Sequence, residues 1–234
     1  SKWRNLPTDE HDEYLADKHP DRQWFVEFLQ LMAPCKVLEI GAGSLHEARS
    51  LFERTPTDNI DYTVVDVAKN AIESGRREFP MIHFIEGDVN RLRLPDDAFD
   101  VVYCRHVLEH QPYYQRPILE MLRVSRRLVV INLFRWSLHR DLIRREKYYS
   151  NSYQIDDFLA FIAGRSEGYE HFLVQKEHDM GKNMYEDCNI RRTGDHLVVV
   201  AAKHVEVSSY NVYEPLDLLG ATYVPHPYDG VEIS

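Results

Sequence analysis

The sequence predicts an α/β protein in which a mostly parallel sheet is covered by helices on both faces. Between residues 35 and 134, short apolar strands alternate with helical segments, a pattern that indicates right-handed crossovers onto a parallel sheet. The strands are nearly continuous apolar runs, as expected where both faces of a sheet are buried. The first strand ends in a glycine turn, Gly41-Ala42-Gly43, at the edge where open α/β sheets bind ligands.

The elements follow one another along the chain at regular spacing. An amphipathic helix is predicted over 21–33, because aromatic and aliphatic residues recur at helical spacing until Pro34. Apolar runs between turn residues then predict strands at 35–40, 59–68, 82–88, 99–106 and 127–134. The helices between them are predicted at 46–55, 69–79 and 113–125. Two later strand-like runs, 169–177 and 196–204, predict an antiparallel hairpin at the sheet edge.

Five segments organise the chain. They are an N-terminal helical cap (1–34), an α/β core (35–134), a helical insertion or lid (135–168), a C-terminal hairpin that completes the sheet (169–204) and a surface tail (205–234). The insertion begins with a basic stretch, RWSLHRDLIRREKYY, and continues with a second helical run, IDDFLAFIAG. Both stretches are predicted to be helices.

Composition limits the class of protein. With 44% hydrophobic residues among 234, the chain can bury a core, and no apolar run approaches the ~18 residues of a membrane span. The net charge of −10 argues against a protein built to wrap nucleic acid, whose affinity comes from neutralising phosphates. The polar first residues lack an apolar signal-peptide core, and the three scattered cysteines favour reduced thiols. We therefore expect a cytoplasmic protein.

The segment VLEIGAGS (37–44) is the first candidate for a ligand site. A strand that ends in Glu39 and then two glycines brings bare backbone to the carboxyl edge of the sheet, where a ligand can approach closely. A dinucleotide fingerprint would require a third glycine where this chain has His46, which argues against a nicotinamide or flavin cofactor. The alternative is a turn that merely needs flexible residues.

Two carboxylates end the next two strands. Asp66 lies 23 residues after Gly43, where an acidic side chain can accept both hydroxyls of a ribose; the alternative is an N-cap for the following helix. Asp88, between Gly87 and Val89, can accept the exocyclic amine of an adenine while Val89 contacts the ring. For Asp88 the alternative is an Asx turn.

These motifs together resemble the class I S-adenosylmethionine-dependent methyltransferases, in particular the small-molecule group called methyltransferase type 11. The resemblance covers about 35–134 and is carried by VLEIGAGS, VVDVA, IEGDVNRLRLPDDAFDVVYCRHVLEH and RLVVINLF in this order and spacing. It implies a Rossmann-like fold with a seven-stranded, mostly parallel sheet that ends in a reversed hairpin. It also implies S-adenosylmethionine as cofactor and S-adenosylhomocysteine as product.

The resemblance implies roles for particular residues. Those lining the cofactor are Glu39, Gly41, Ala42 and Gly43 along the methionine and ribose, Asp66 and Val67 at the ribose diol, Asp88 and Val89 at the adenine, and Cys104 and Arg105 beside the methionine end. Leu45 stands where many members of the family carry another glycine, which leaves the contacts within the turn open.

The segment His106–His110 spells H-x-x-E-H, the inverted zinc-protease motif. We expect no metal there, because the motif follows a strand in mid-sheet and no distant acidic ligand stands in a matching context. Both histidines lie on the side of a methyl acceptor, and a histidine has a pKa that suits a general base. His110 is the candidate base, with His106 second; packing or capping is the alternative for each.

The stretch 135–147 carries a local charge of +3 and is followed by aromatic residues. Its basic side chains are Arg135, Arg140, Arg144, Arg145 and Lys147, and its acidic ones are Asp141 and Glu146. The stretch can form a lid that attracts an acidic or phosphorylated acceptor, or a solvated basic helix. RNA contact is a further alternative.

The sequence therefore predicts an S-adenosylmethionine-dependent methyltransferase. The methyl group would move by in-line displacement to an oxygen or nitrogen nucleophile of a small molecule. Two alternatives stay open: an RNA or protein methyltransferase that uses the basic stretch, and a non-catalytic binding module with the same fold. A homodimer is also left open, and neither a membrane nor a nucleic acid is expected as partner.

Overall fold

The computed structural model describes residues 25–26, 29–30, 32–41, 43, 45–54, 59–134, 136–137, 140–143, 148–165, 169–176, 197–203 and 223–224. Its helices are α1 (His46–Arg54), α2 (Lys69–Glu78), α3 (Gln115–Val124) and α4 (Ile155–Arg165). Its strands are β1 (Cys35–Ile40), β2 (Ile60–Asp66), β3 (His83–Glu86), β4 (Phe99–Arg105), β5 (Ser125–Leu133), β6 (Trp136–Ser137), β7 (Tyr153–Gln154), β8 (Tyr169–Lys176), β9 (Leu197–Lys203) and β10 (Tyr223–Val224).

The main sheet has the strand order β10-β8-β9-β5-β4-β1-β2-β3. The five strands from β5 to β3 are parallel, and β9 and β8 are antiparallel to their neighbours. The predicted fold class is confirmed: a Rossmann-like, mostly parallel sheet with an antiparallel hairpin. Among the described residues the sheet has eight strands rather than the predicted seven, because β10, from the predicted surface tail, pairs with β8.

Both faces of the parallel sheet are buried, and successive strand residues face opposite cores. One core joins α1, α2 and the helical residues near Leu29 to side chains such as Val37, Val64 and Val101. The other joins α3 and α4 to their strand neighbours, such as Leu38, Val65 and Val102. Because each strand is buried on both faces, its sequence is a continuous apolar run rather than an alternating one.

Within the predicted helix 21–33, the described residues up to Met32 are helical, and Ala33 is not. Phe25, Val26, Leu29, Gln30 and Met32 are helical, and the Phe25 ring stacks on Tyr103 of β4 with 3.5 Å between ring centroids. Residues 1–24 lie outside the described residues, so the N-terminal cap stays a prediction.

The predicted helix over 135–149 is wrong where the structure describes that stretch. Trp136–Ser137 forms β6, which pairs in parallel with β7, and Leu142 forms a bridge with Ser152. Both Trp136 and Tyr153 are buried, so tertiary burial and strand pairing decide the structure of this stretch against the predicted helix. The second predicted helix of the insertion is present as α4.

Candidate functional site

The carboxyl ends of β1 to β4 meet at one edge of the sheet. In the strand registers Ile40 is level with Val65 of β2 and with Cys104 of β4, and Asp66 is level with Glu86 of β3. The residues that follow these four strands therefore lie side by side. The predicted site residues described by the structure follow or end these strands, so the sheet brings them to this edge.

The glycine turn after β1 combines a crowded position and an open one. Gly41 has φ +74°, and a Cβ there would lie 2.2 Å from a Val107 methyl carbon. Gly43 has φ +55°, and a Cβ there would meet nothing within 4 Å. Leu45 takes the same left-handed conformation, with φ 64°. Open space thus adjoins bare backbone at Gly43; Ala42 lies outside the described residues.

The carboxylate of Asp66 ties two loops together at the end of β2. It accepts hydrogen bonds from the Gly43 N–H at 3.1 Å and from the Ala68 N–H, at the start of α2, at 2.8 Å. Burial raises the pKa of Asp66, and these N–H donors oppose the rise. The position therefore serves the turn and the helix start, while Val67 beside it is 36% exposed.

Glu39 lies in a buried polar cluster that the sequence did not reveal. The Tyr62 hydroxyl donates to Glu39 Oε2 at 3.0 Å, and Arg105 forms an ion pair with Glu47 of α1 at 2.8 Å. Burial, and after it the charge of Glu47, raises the pKa of Glu39 well above its ordinary range. The Arg105 guanidinium pairs with Glu47, and its charge opposes the rise in the pKa of Glu39.

Sequence reasoning missed Glu47 and Tyr62 for different reasons. Glu47 stands in the first turn of α1, where an acidic residue is ordinary because it suits the helix dipole. Tyr62 is one apolar residue within a buried strand. A signal was available only for Glu47, whose place just after the glycine turn put it near the predicted site.

Asp88 and Val89, which follow β3, differ in exposure to solvent. Asp88 is exposed, and its Oδ1 accepts from both the backbone N–H and the side-chain Nδ2 of Asn90, each at 2.8 Å, which is the Asx-turn alternative. Val89 is buried and belongs to the core that also contains residues of α3 and α4. Asn90 Nδ2 also donates to Gln111 Oε1 at 2.9 Å, a link the sequence did not indicate.

After β4 the predicted residues lie at different depths. Cys104 is buried in the core, and this burial, followed by the charge of Glu109, raises the pKa of its thiol. His106 is half-buried with φ 55°, and its ring contacts Phe134 edge-on at a centroid distance of 4.8 Å. Backbone strain of this kind in a residue other than glycine concentrates at functional sites.

The His110 ring has a defined tautomer. Its Nδ1 lies 2.8 Å from the Tyr149 carbonyl oxygen. A carbonyl only accepts, so Nδ1 donates, and in the neutral ring the lone pair lies on Nε2. Such an oriented, half-buried imidazole is what a general base requires.

The H-x-x-E-H motif forms a short 3-10 helix, Leu108–His110, rather than an α-helix. Glu109 is fully buried, and its Oε1 accepts from the Phe134 N–H at 2.7 Å. Within the part of the chain that the structure describes, no group of three or more His, Cys, Asp or Glu residues is arranged to hold a metal.

The insertion is joined to this 3-10 helix by hydrogen bonds. The Asn151 N–H donates to the Glu109 carbonyl at 2.8 Å, and the Tyr153 hydroxyl lies 3.0 Å from the carbonyl oxygens of Leu108 and Gln111. The insertion therefore forms one wall beside His110. Of its basic residues, Arg140 is exposed, while Arg135, Arg144, Arg145 and Lys147 lie outside the described residues.

Comparisons with known proteins agree with this geometry. Residues 38–130 match the family described as "Methyltransferase domain". A sterol 24-C-methyltransferase of Aspergillus fumigatus is 25% identical over 131 residues, which cover 54% of this chain and 32% of that protein. A demethylmenaquinone methyltransferase of Beutenbergia cavernae is 32% identical over 98 residues, which cover 41% of this chain and 39% of that protein. The chain thus spans less than half the length of these relatives.

The fold is shared with solved structures. The N-methyltransferase NodS of Bradyrhizobium japonicum, crystallised with S-adenosylhomocysteine, superposes with a TM-score of 0.59 at 15% identity, covering 85% of this chain and 95% of NodS. Among the described residues no helix has the length and apolar character needed to cross a bilayer. Residues 38–130 of this chain therefore match a methyltransferase domain, and the chain shares its fold with the N-methyltransferase NodS.

Proposed function

We propose that this chain is an enzyme that transfers a methyl group from S-adenosylmethionine to an oxygen or nitrogen nucleophile of a small molecule. One observation carries the proposal. The carboxylates of Glu39, Asp66 and Asp88 end or follow three adjacent parallel strands, beside a left-handed glycine turn with open space at Gly43. NodS, which has the same fold, was crystallised with the demethylated product of this cofactor.

The residues fit the parts of the cofactor. Asp66 can accept the ribose hydroxyls and Asp88 the exocyclic amine, because carboxylates only accept hydrogen bonds. Burial and the charge of Glu47 raise the pKa of Glu39, so an ammonium or sulfonium group bound nearby would stabilise its ionised form. When bound, S-adenosylmethionine supplies an electrophilic methyl group on a sulfonium.

His110 is the proposed general base. Its Nδ1 donates to the Tyr149 carbonyl, so Nε2 is the atom that would accept the proton of an acceptor hydroxyl or amine. NodS is named as an N-methyltransferase, which favours a nitrogen nucleophile. A carbon acceptor is the second candidate, because the relative from Aspergillus fumigatus is named as a sterol 24-C-methyltransferase.

A small molecule is favoured over a polymer because the chain carries a net charge of −10. A cytoplasmic location is favoured by Cys35 and Cys104, which are buried free thiols. We keep the homodimer as part of this proposal, to be checked by the mass of the protein in solution.

Thermal unfolding with S-adenosylmethionine, S-adenosylhomocysteine and NADH tests the cofactor. A ligand at about a hundred times its dissociation constant adds roughly 2.7 kcal/mol to stability. For a domain of this size that is a rise in Tm of about 5–10 °C with the two adenosyl ligands and none with NADH. Asp66→Asn, which keeps an acceptor oxygen for one of the two loop amides, should lose most of the rise. No rise in the wild type would refute the proposed cofactor.

Methyl transfer to a panel of amines, phenols and carboxylic acids tests the enzyme itself. Turnover of a small-molecule acceptor is the expected result. A rise in Tm without turnover of any small molecule, RNA or protein substrate would favour the non-catalytic binding module instead.

A further inference from the structure

Asn90 lies between a predicted cofactor residue and the loop that carries the proposed base. Its backbone N–H and its side-chain Nδ2 both donate to Asp88 Oδ1 at 2.8 Å. The same Nδ2 donates to Gln111 Oε1 at 2.9 Å, so its two protons serve two acceptors on different loops. The Arg116 side chain donates to the Asn90 carbonyl at 3.0 Å and holds the turn against α3.

Gln111 continues this connection into the insertion. It follows His110 directly, and its backbone carbonyl accepts from Asn151 Nδ2 at 2.6 Å and from the Tyr153 hydroxyl at 3.0 Å. Hydrogen bonds therefore run from the carboxylate after β3, through Asn90, to the loop after β4 and its docked insertion.

The effect on Asp88 is orientational. An exposed carboxylate ordinarily rotates freely, and ordering it costs free energy when a ligand binds. Here two donors from Asn90 hold Oδ1, which fixes the plane of the carboxylate before binding and leaves Oδ2 to accept.

We propose that Asn90 is a positioning residue, which orients Asp88 to accept the exocyclic amine of the cofactor and ties that contact to Gln111 beside the acceptor site. The inference rests on the proposed function, since it takes the adenine amine as the ligand of Asp88. The sequence around Asp88 predicts no role for Asn90 beyond the alternative of an Asx turn.

The test compares two ligands that differ at the recognised amine. S-adenosylhomocysteine carries that amine, and its 6-deamino analogue, which has hydrogen at that purine carbon and keeps N1 as an acceptor, has no donor there for Asp88. By titration calorimetry we expect the wild type to prefer the adenosyl ligand by about tenfold, the range of a hydrogen bond to a charged group. Asn90→Ala should weaken the adenosyl ligand by about tenfold and the 6-deamino analogue by about twofold or less. Asn59→Ala, an exposed asparagine before β2, is the matched control.

Two further variants test whether Asn90 acts through its neighbours. In an Asp88→Ala background, Asn90→Ala should have almost no further effect on the adenosyl ligand. Gln111→Leu should also weaken the adenosyl ligand. Its effect should not add to that of Asn90→Ala, because both substitutions remove the same hydrogen bond, from Asn90 Nδ2 to Gln111 Oε1. The unliganded Tm of each variant shows whether it folds.

The outcomes separate the two proposals. If the wild type binds neither ligand, the proposed function fails and this inference falls with it. If the wild type prefers S-adenosylhomocysteine but Asn90→Ala weakens both ligands equally, or acts as strongly without Asp88, the inference alone is overturned. Additive effects of Asn90→Ala and Gln111→Leu would overturn the link to the acceptor loop.

Discussion

The residue Glu39 is only 2% exposed, and one of its carboxyl oxygens accepts from the Tyr62 hydroxyl at 3.0 Å. Burial disfavours its ionised form, and the charge of Glu47 adds to that effect, so the pKa rises. A buried carboxyl in this state opposes folding at neutral pH. Its place at the end of β1 is explained if a cationic ligand group binds there.

The raised pKa of Glu39 should make the free energy of unfolding depend on pH. Because the folded pKa lies above the unfolded value, the native state holds a proton that the unfolded chain releases as pH rises. The free energy of unfolding should therefore fall with rising pH, from about 4.5 up to the folded pKa, by at most about 1.4 kcal/mol per pH unit. Glu39→Gln should remove this part of the slope, as measured by urea unfolding at several pH values. A slope identical to that of the wild type would contradict the shift; the exposed Glu86→Gln is the control.

Replacing His110 tests the proposed base. With the acceptor found by screening, His110→Asn should lower kcat by about 10²–10⁴ and remove the limb of the pH–rate profile that reports the base. The affinity for S-adenosylhomocysteine should stay within about twofold, since we place this side chain on the acceptor side. His83→Asn, an exposed histidine of β3, is the control. An unchanged kcat would leave His110 with the packing role.

Gly41 and Gly43, in the turn between β1 and α1, are required for different reasons. At Gly41 the Val107 side chain leaves no room for a Cβ, so glycine is required by packing and by φ +74°. At Gly43 there is room, yet the Gly43 N–H donates to Asp66 and the space lies open. The first glycine therefore serves the fold, and we infer that the second serves a ligand.

Two alanine substitutions should separate these roles. Gly41→Ala should lower the free energy of unfolding by about 1–3 kcal/mol through the clash and strain, and Val107→Ala should restore part of it. Gly43→Ala should cost about 1–2 kcal/mol, the strain of a left-handed residue, but should weaken S-adenosylhomocysteine more than tenfold. Urea unfolding and calorimetry measure the two effects. Normal affinity in Gly43→Ala would show that the open space is not the cofactor site.

The whole molecule has a negative net charge, which disfavours the binding of a polyanion such as RNA. The net charge of −10 repels RNA at long range, whereas the +3 stretch 135–147 is local. We expect turnover of a small-molecule acceptor to vary little between 50 and 200 mM salt. Any RNA binding should fall steeply over that range, by about 10³ or more if six phosphates are contacted. Tight RNA binding at 200 mM salt would favour the polymer alternative.

The sequence by itself determined the fold class and indicated where along the chain the carboxyl edge of the sheet would lie. Continuous apolar runs such as CKVLEI, found as β1, admit few structures other than strands buried on both faces, and their order along the chain dictates the crossovers. Because ligand sites of parallel sheets lie where strands end, Glu39, Asp66 and Asp88 could be named from local patterns, whereas Cys104 and Arg105 were named only through the family resemblance.

Only the tertiary structure decided the partners and the depth of these residues. Glu47 meets Arg105 across 58 residues, and Asn90 meets Gln111 across 21, pairings that no local pattern contains. The pairing of β6 with β7 replaced a predicted helix, because burial of Trp136 and Tyr153 outweighs weak helical preferences. Local periodicity reports which face a residue prefers, whereas the choice of a distant hydrogen-bond partner depends on how the elements pack together.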